Sequence, residues 1–150
     1  MWPSHSSFIA SSKNPDKSIR GKGFVARLSG STIEFISMWK LMFFGSHLFT
    51  ANESGELCFS PTPAIPEYLL FETTEKKYRV ETTMLGHTKV VYEADIKQDI
   101  IPGNYEITEI TVEYSDGTVE EFKDSIISGE AAVKIRDRQA KNINIKMTPN

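Results

Sequence analysis

The residues best suited to chemistry are three imidazoles and one thiol: His5, His47, His87 and Cys58. A metal site or an acid–base pair needs such groups at a spacing that brings them together, such as i and i+4 on a helix. No two of the histidines have it, and His87 falls in a turn-like Leu85-Gly86-His87. One cysteine makes neither an intrachain disulfide nor a cysteine metal cluster, and it suits a reducing compartment slightly better than an oxidising one. The serines include no G-x-S-x-G elbow and none with a His and an acid in supporting context. "RGKG" at Arg20–Gly23 and the later "GSTIEF" fit neither the Walker A pattern nor the dinucleotide fingerprint. The expectation is a non-enzymatic chain with no catalytic, metal or cofactor-binding residues.

Charge is the remaining resource. Glu106, Glu109, Glu113, Asp116, Glu120, Glu121 and Asp124 crowd one stretch. A calcium site needs six to eight converging oxygens, and no EF-hand spacing occurs here. Asp116-Gly117 signals a tight hairpin pairing Tyr114 with Val119, which sets Glu113 against Glu120, where like charges repel. Such an arrangement calls for cations, and Lys134, Arg136 and Arg138 form a downstream row of one strand parity. Glu106, Glu109, Glu113, Glu120, Lys134, Arg136 and Arg138 thus make up a candidate interaction face. It reads either as a solvated, charge-balanced sheet surface or as a face that steers a protein partner. The aromatics nearby, Tyr105, Tyr114 and Phe122, have acidic neighbours, so they fit core packing and not a nucleic-acid platform. The formal charge of −3 also argues against nucleic acid.

The elements that must position these groups alternate with period two. Tyr78, Val80, Thr82 and Met84 alternate with Lys77, Arg79, Glu81 and Thr83. Val90, Tyr92, Ala94 and Ile96 do so against Lys89, Glu93, Asp95 and Lys97. Val133 and Ile135, then Ile143, Ile145 and Met147, continue the pattern. Such half-buried strands belong to antiparallel sheets. Turn residues separate them at short intervals, which suggests a sandwich or barrel. Pro102-Gly103-Asn104 is one such turn, with Pro102 holding Ile101 out of the helical region and Gly103 tolerating positive φ. After it the apolar parity changes, from Tyr105 and Ile107 to Ile110, Val112 and Tyr114. A β-bulge near Thr108-Glu109, or a strand passing between sheets, would produce that change. "STIEFISMWKLMFFG" is the ambiguous segment. Ser31, Glu34 and Gly45 have helix-capping spacing, whereas apolar residues of both parities fit a covered central strand. The β-rich context favours a strand bent near Ser37, with a helix as the alternative.

At 150 residues the chain has room for one core. Residues 1–22 hold six serines and two prolines, with Trp2, Phe8 and Ile9 as large apolar anchors, and read as a flexible tail or tether. Residues 23–150 read as a single sandwich. No signal-peptide core is present, and the most apolar window is broken by Glu34, Lys40 and His47. The expected address is periplasm or cell envelope if a signal was trimmed, and cytoplasm otherwise. A membrane enters only through a removed or missing lipid anchor.

"IIPGNYEITEI", Ile100–Ile110, resembles the Pro-Gly-x-Tyr strand start of prealbumin-like sandwiches, including carboxypeptidase-regulatory-like modules. It is also similar to small bacterial envelope lipoproteins of unknown function. "IISGEAAVKI", Ile126–Ile135, echoes a second segment of that family, with Ser128 in place of proline and Lys134 in place of an aromatic. The resemblance implies the fold and an envelope address, and carries over no catalytic residue. The expected architecture is an all-β antiparallel sandwich of about seven to nine strands behind an N-terminal tail. The expected function is a binding or structural module with a protein partner, lipoprotein-like in the envelope. The alternatives are a carrier or enzyme using a cavity between the sheets, and an edge-strand subunit of a larger assembly.

Overall fold

The computed structural model describes residues 7–25 and 29–150. Trp2 and His5 lie outside the described residues. The chain forms two compact units, Met1–Trp39 and Lys40–Asn150. In the first, β1 (Ser7–Ile9) and β2 (Gly23–Val25) pair antiparallel. A hairpin therefore occupies the stretch where a tether is expected. Its loop is closed by backbone bonds between Ala10 and Lys22 and between Gly21 and Ala10.

Helix α1 (Ser29–Phe44) runs across the boundary between the units. The strand expected over this segment is corrected to a helix. It begins two residues before Ser31, so Ser31 lies inside it and not at its cap. Met38, Lys40, Leu41 and Met42, none of them branched at Cβ, favour helix, and Gly45 ends it in the left-handed region at φ 77°. Residues apolar on both strand parities are equally apolar around a helix, which is why parity alone misassigned them. In the second unit the last turn is seated firmly. Phe43 and Phe44 are buried, the Tyr92 hydroxyl donates to the Phe43 carbonyl, and Thr62 and Ala64 donate their N–H groups to the Phe44 and Met42 carbonyls.

Residues Lys40–Asn150 contain nine strands in two sheets, an all-β sandwich-like fold. The smaller sheet has the order β10 (Ile127–Ser128), β4 (Leu57–Phe59), β3 (Phe49–Ala51). The larger contains β5 (Phe71–Glu72), β6 (Tyr78–Met84), β7 (Thr88–Ala94), β11 (Ala140–Pro149), β8 (Tyr105–Tyr114) and β9 (Val119–Phe122), in that spatial order. Every pairing is antiparallel except β7 with β11, which run parallel. One face of the larger sheet presents Val80, Tyr92, Ile145, Ile110 and Phe122 in a cross-strand row, and Thr82, Val90, Ile143 and Val112 in the next. This face and Phe59 and Ile127 of the smaller sheet belong to one buried apolar cluster. Each fully buried side chain of this size contributes about 1.5–3 kcal/mol. The Thr88 hydroxyl donates to the Ala140 carbonyl at 2.7 Å, tying the start of β7 to β11.

Two local expectations are corrected. Val133–Arg136 is not a strand: Glu130–Arg136 is a helix, α2, burying Ala132 and Ile135 one turn apart. Gly129, at φ 71°, supplies its start, Glu130 lies in its first turn, and Lys134 and Arg136 lie in its last, matching the helix dipole. The β8–β9 hairpin is also one residue out of the expected register. Tyr114 bonds to Thr118 around a three-residue loop, so Val119 faces Glu113 and Glu120 faces Val112. Gly117, at φ 87°, fits the left-handed position of such a loop. The parity change in β8 is a bulge: Lys146 faces Glu109 and Met147 faces Ile107, leaving Thr108 as the extra residue.

Candidate functional site

The hairpin slip sends the acidic residues to different places, because one residue of register moves side chains to opposite faces. Glu109 and Glu113 lie on the face of the larger sheet turned away from the core. There a row of alternating charge crosses four strands and ends on the residue after β9: Arg79, Glu93, Lys146, Glu109, Lys123. Lys146 stands 2.5 Å from Glu109, Lys123 pairs with the same carboxylate, and Arg79 is 3.8 Å from Glu93. Hydrogen bonds from Lys123 and Lys146 hold the Glu109 carboxyl well down, at about 2. Glu113 accepts from Asn142 at 2.5 Å and pairs with Lys141 at 3.4 Å, and the Asn142 bond lowers its pKa. The cations that answer these carboxylates therefore come from the residue after β9 and from β11, and not from the expected row Lys134, Arg136 and Arg138.

That row does not exist as a row. Helix geometry turns Lys134 and Arg136 about 200° apart, and Arg138 follows the helix end at φ 61°. Arg136 pairs with Asp137 at 2.9 Å, holding that carboxyl below its usual value. Lys134 and Arg138 line a recess of about 310 Å³ with Tyr114, Asp116 and Glu120. Lys134 pairs with Glu130 at 3.0 Å and sits 5.5 Å from the centre of the Tyr114 ring. The Tyr114 hydroxyl donates to Glu120 at 3.1 Å. Its pKa is pushed up, first by burial and then by that carboxylate. Asp116 caps the turn by accepting from Thr118 N–H at 2.9 Å, which lowers its pKa. Lys134, Tyr114, Asp116 and Glu120 are thus each answered by a neighbour.

A different surface is unanswered. A cleft of about 250 Å³ opens among the segment after β4, the turn before β8 and the approach to β10. Its walls are Pro61 and Pro63, Ile100–Pro102, Tyr105 and Ile107, Ile126, and Met147. Ser60, Thr62, Glu106 and Ser125 provide its polar atoms. Hydrogen bonds tie its frame together. Ile65 and Ile100 exchange two backbone bonds of 2.7 and 2.8 Å, and Asp99 accepts from Glu67 N–H at 2.8 Å. Asn150 closes the Gly103 turn through its side chain, at 3.0 Å from the Gly103 carbonyl. The Tyr105 hydroxyl donates to the Ile96 carbonyl at 3.0 Å, and burial raises its pKa. Of the expected site residues, Glu106 and Pro102 line this cleft, and Gly103 adjoins it.

Sequence reasoning missed the cleft, although a signal was present in the doubled isoleucines. Adjacent residues on an extended chain point oppositely. Ile100 and Ile127 are each 1% exposed, while their neighbours Ile101 and Ile126 are 42% and 49% exposed. Strand parity alone demands an outward isoleucine in each pair.

The lining includes no histidine and so no serine–histidine pair. Among the described residues no three His, Cys, Asp or Glu side chains stand close enough to share a metal ion. No family model, curated protein or solved structure matches the chain.

Proposed function

We propose that the sandwich is a non-catalytic binding module that seats an apolar side chain of a protein partner in the Pro61–Ile101–Ile126 cleft. The observation that carries this reading is the pair of half-exposed isoleucines at the mouth of a preformed apolar cleft. Its size supports a side-chain anchor over a carried ligand: about 250 Å³ is below the roughly 300–1,000 Å³ of pockets that enclose drug-sized molecules. Buried anchors of this kind carry most of the energy of protein interfaces. The charged sheet face supports the reading indirectly, since its carboxylates already have cationic partners and gain little by exchanging them.

Selection of a random peptide library against the purified protein tests the proposal. The expected result is a family of peptides sharing one large apolar residue. Their binding should fall at least about tenfold in Ile126→Glu, the scale of losing one anchor contact. The thermal unfolding of that variant should stay unchanged, because the side chain is half-exposed. Peptides that bind Ile126→Glu as tightly as the parent protein would overturn the assignment.

A further inference from the structure

We propose that the N-terminal unit binds the surface of an anionic lipid bilayer, through a cationic hairpin loop and the apolar helix that follows it. The two halves of the charge distribution differ in sign. Met1–Trp39 carries five Lys or Arg against Asp16 and Glu34, a formal +3; Lys40–Asn150 carries twelve against eighteen, −6, and together they give the −3 of the whole chain. Lys13, Lys17, Arg20 and Lys22 all lie in the β1–β2 loop and all are exposed. The one carboxylate of that loop is engaged locally, accepting from the Ser18 N–H at 2.9 Å.

Helix α1 follows with the second signal. Ile33, Phe35, Ile36, Met38, Trp39 and Leu41 are all at least 49% exposed, in a helix where water offers them nothing. At about 100° per residue, Met38, Phe35, Trp39 and Ile36 cover an arc of about 160°, and Ile33 and Leu41 fall on the other side among Lys40, Ser37 and Glu34, so exposed apolar side chains surround the helix. An exposed apolar helix that follows a basic cluster in the chain is the combination that holds a protein on an anionic membrane, where either signal alone is weak. Trp39 and Lys40 are the residue types that settle at headgroup level. The sixteen residues of α1 fall short of the roughly 20 needed to span a bilayer, and no helix among the described residues is long and apolar enough to cross one. The helix therefore lies in the interface and does not cross it. Charge favours lipid over a second copy of the chain, because a two-fold pairing of these helices would bring two +3 units together.

The test uses the full chain with Trp2→Phe, so that Trp39 is the reporting indole. Vesicles of phosphatidylcholine alone are compared with vesicles containing phosphatidylglycerol as well, by sedimentation and Trp39 emission. Binding and a blue shift are expected only with the anionic vesicles, and both should weaken as salt is raised. Phe35→Glu with Met38→Glu, and separately Lys13, Lys17, Arg20 and Lys22 all changed to Gln, should each lower partitioning at least about tenfold. Circular dichroism and unfolding of Lys40–Asn150 signals should not change. Equal partitioning into both vesicle types, no binding at low salt, or indifference to both sets of substitutions would overturn the proposal. So would a concentration-dependent dimer without lipid, lost in the Phe35→Glu, Met38→Glu variant, which would assign the face to a second copy.

Discussion

Replacing Gly45 by alanine perturbs the point where α1 is both ended and seated. Two costs add. The backbone there is left-handed at φ 77°, which disfavours an L-residue by about 1–2 kcal/mol. An added Cβ would also overlap the Thr62 hydroxyl oxygen and stand 2.9 Å from the Thr62 carbonyl oxygen. Thr62 cannot simply withdraw, because its N–H bonds the Phe44 carbonyl at 3.2 Å. Overpacking against a fixed backbone costs about 1–3 kcal/mol. The total is about 2–5 kcal/mol, a large share of the 5–15 kcal/mol typical of a domain. Urea unfolding followed by far-UV circular dichroism should show the midpoint falling with the m-value unchanged. Adding Thr62→Ala removes the hydroxyl overlap but neither the carbonyl contact nor the φ cost, so recovery should be partial. Gly103 separates the two terms. It has φ 95° but open space where its Cβ would go. Gly103→Val should therefore lose about 1–2 kcal/mol, the φ cost alone, and Gly103→Asn less. A Gly45→Ala protein within about 0.5 kcal/mol of the parent, the ordinary scatter of surface substitutions, would refute this account of the helix end.

The ladder gives a pH prediction. Because the folded pKa of Glu109 is depressed, its stabilising contribution is complete above the unfolded value near 4.5 and is lost as pH falls through about 2. Carbon-13 NMR of the Glu109 carboxyl should show that low titration in the parent and a return toward the ordinary range in Lys123→Met, Lys146→Met; titration near 4.5 in the parent would count against the pairing. Arg138→Gly should stabilise the protein by about 0.5–1 kcal/mol in urea, because Arg138 occupies the left-handed residue after α2, the position where helices favour glycine. Its N–H and that of Gln139 bond the Ile135 and Lys134 carbonyls, as that helix end requires. Tyr92→Phe should cost about 1–3 kcal/mol, since the buried Phe43 carbonyl loses a donor. A thermal midpoint equal to the parent's would show that the bond contributes nothing.

Period-two alternation made β6, β7 and β11 legible, because each has one face in the core and one in water. The bulge at Thr108 was legible for the same reason: an extra residue must invert parity, and it does so between Ile107 and Ile110. What failed were segments too short or too uniform to fix a period. Val133 and Ile135 satisfy strand parity, but Ala132 and Ile135 satisfy helix spacing, and Gly129-Glu130 was the overlooked start signal. Around α1, apolar residues on every side gave no contrast to read. The Asp116-Gly117 pair correctly marked a hairpin but not its loop length, and that one residue decided which carboxylates share a face. The parallel pairing of β7 with β11 joins segments separated by three strands and a helix, so no local pattern could reveal it.

This register error had a functional consequence. With Glu113 opposite Glu120, two facing carboxylates would have called for a cationic neighbour, the expected role of Lys134, Arg136 and Arg138. With the observed slip, each acid has its own partner: Lys141 and Asn142 for Glu113, and the Tyr114 hydroxyl for Glu120. A charged face that is neutralised strand by strand gains little from binding, because a partner must displace contacts already made. The half-exposed Ile101 and Ile126 and the water-facing Phe35 present apolar surface and not paired charge. Covering them releases apolar surface from water at no electrostatic cost. The search for partners therefore belongs at the apolar cleft and the apolar helix, and substitutions on the acidic hairpin should change acid stability before they change binding.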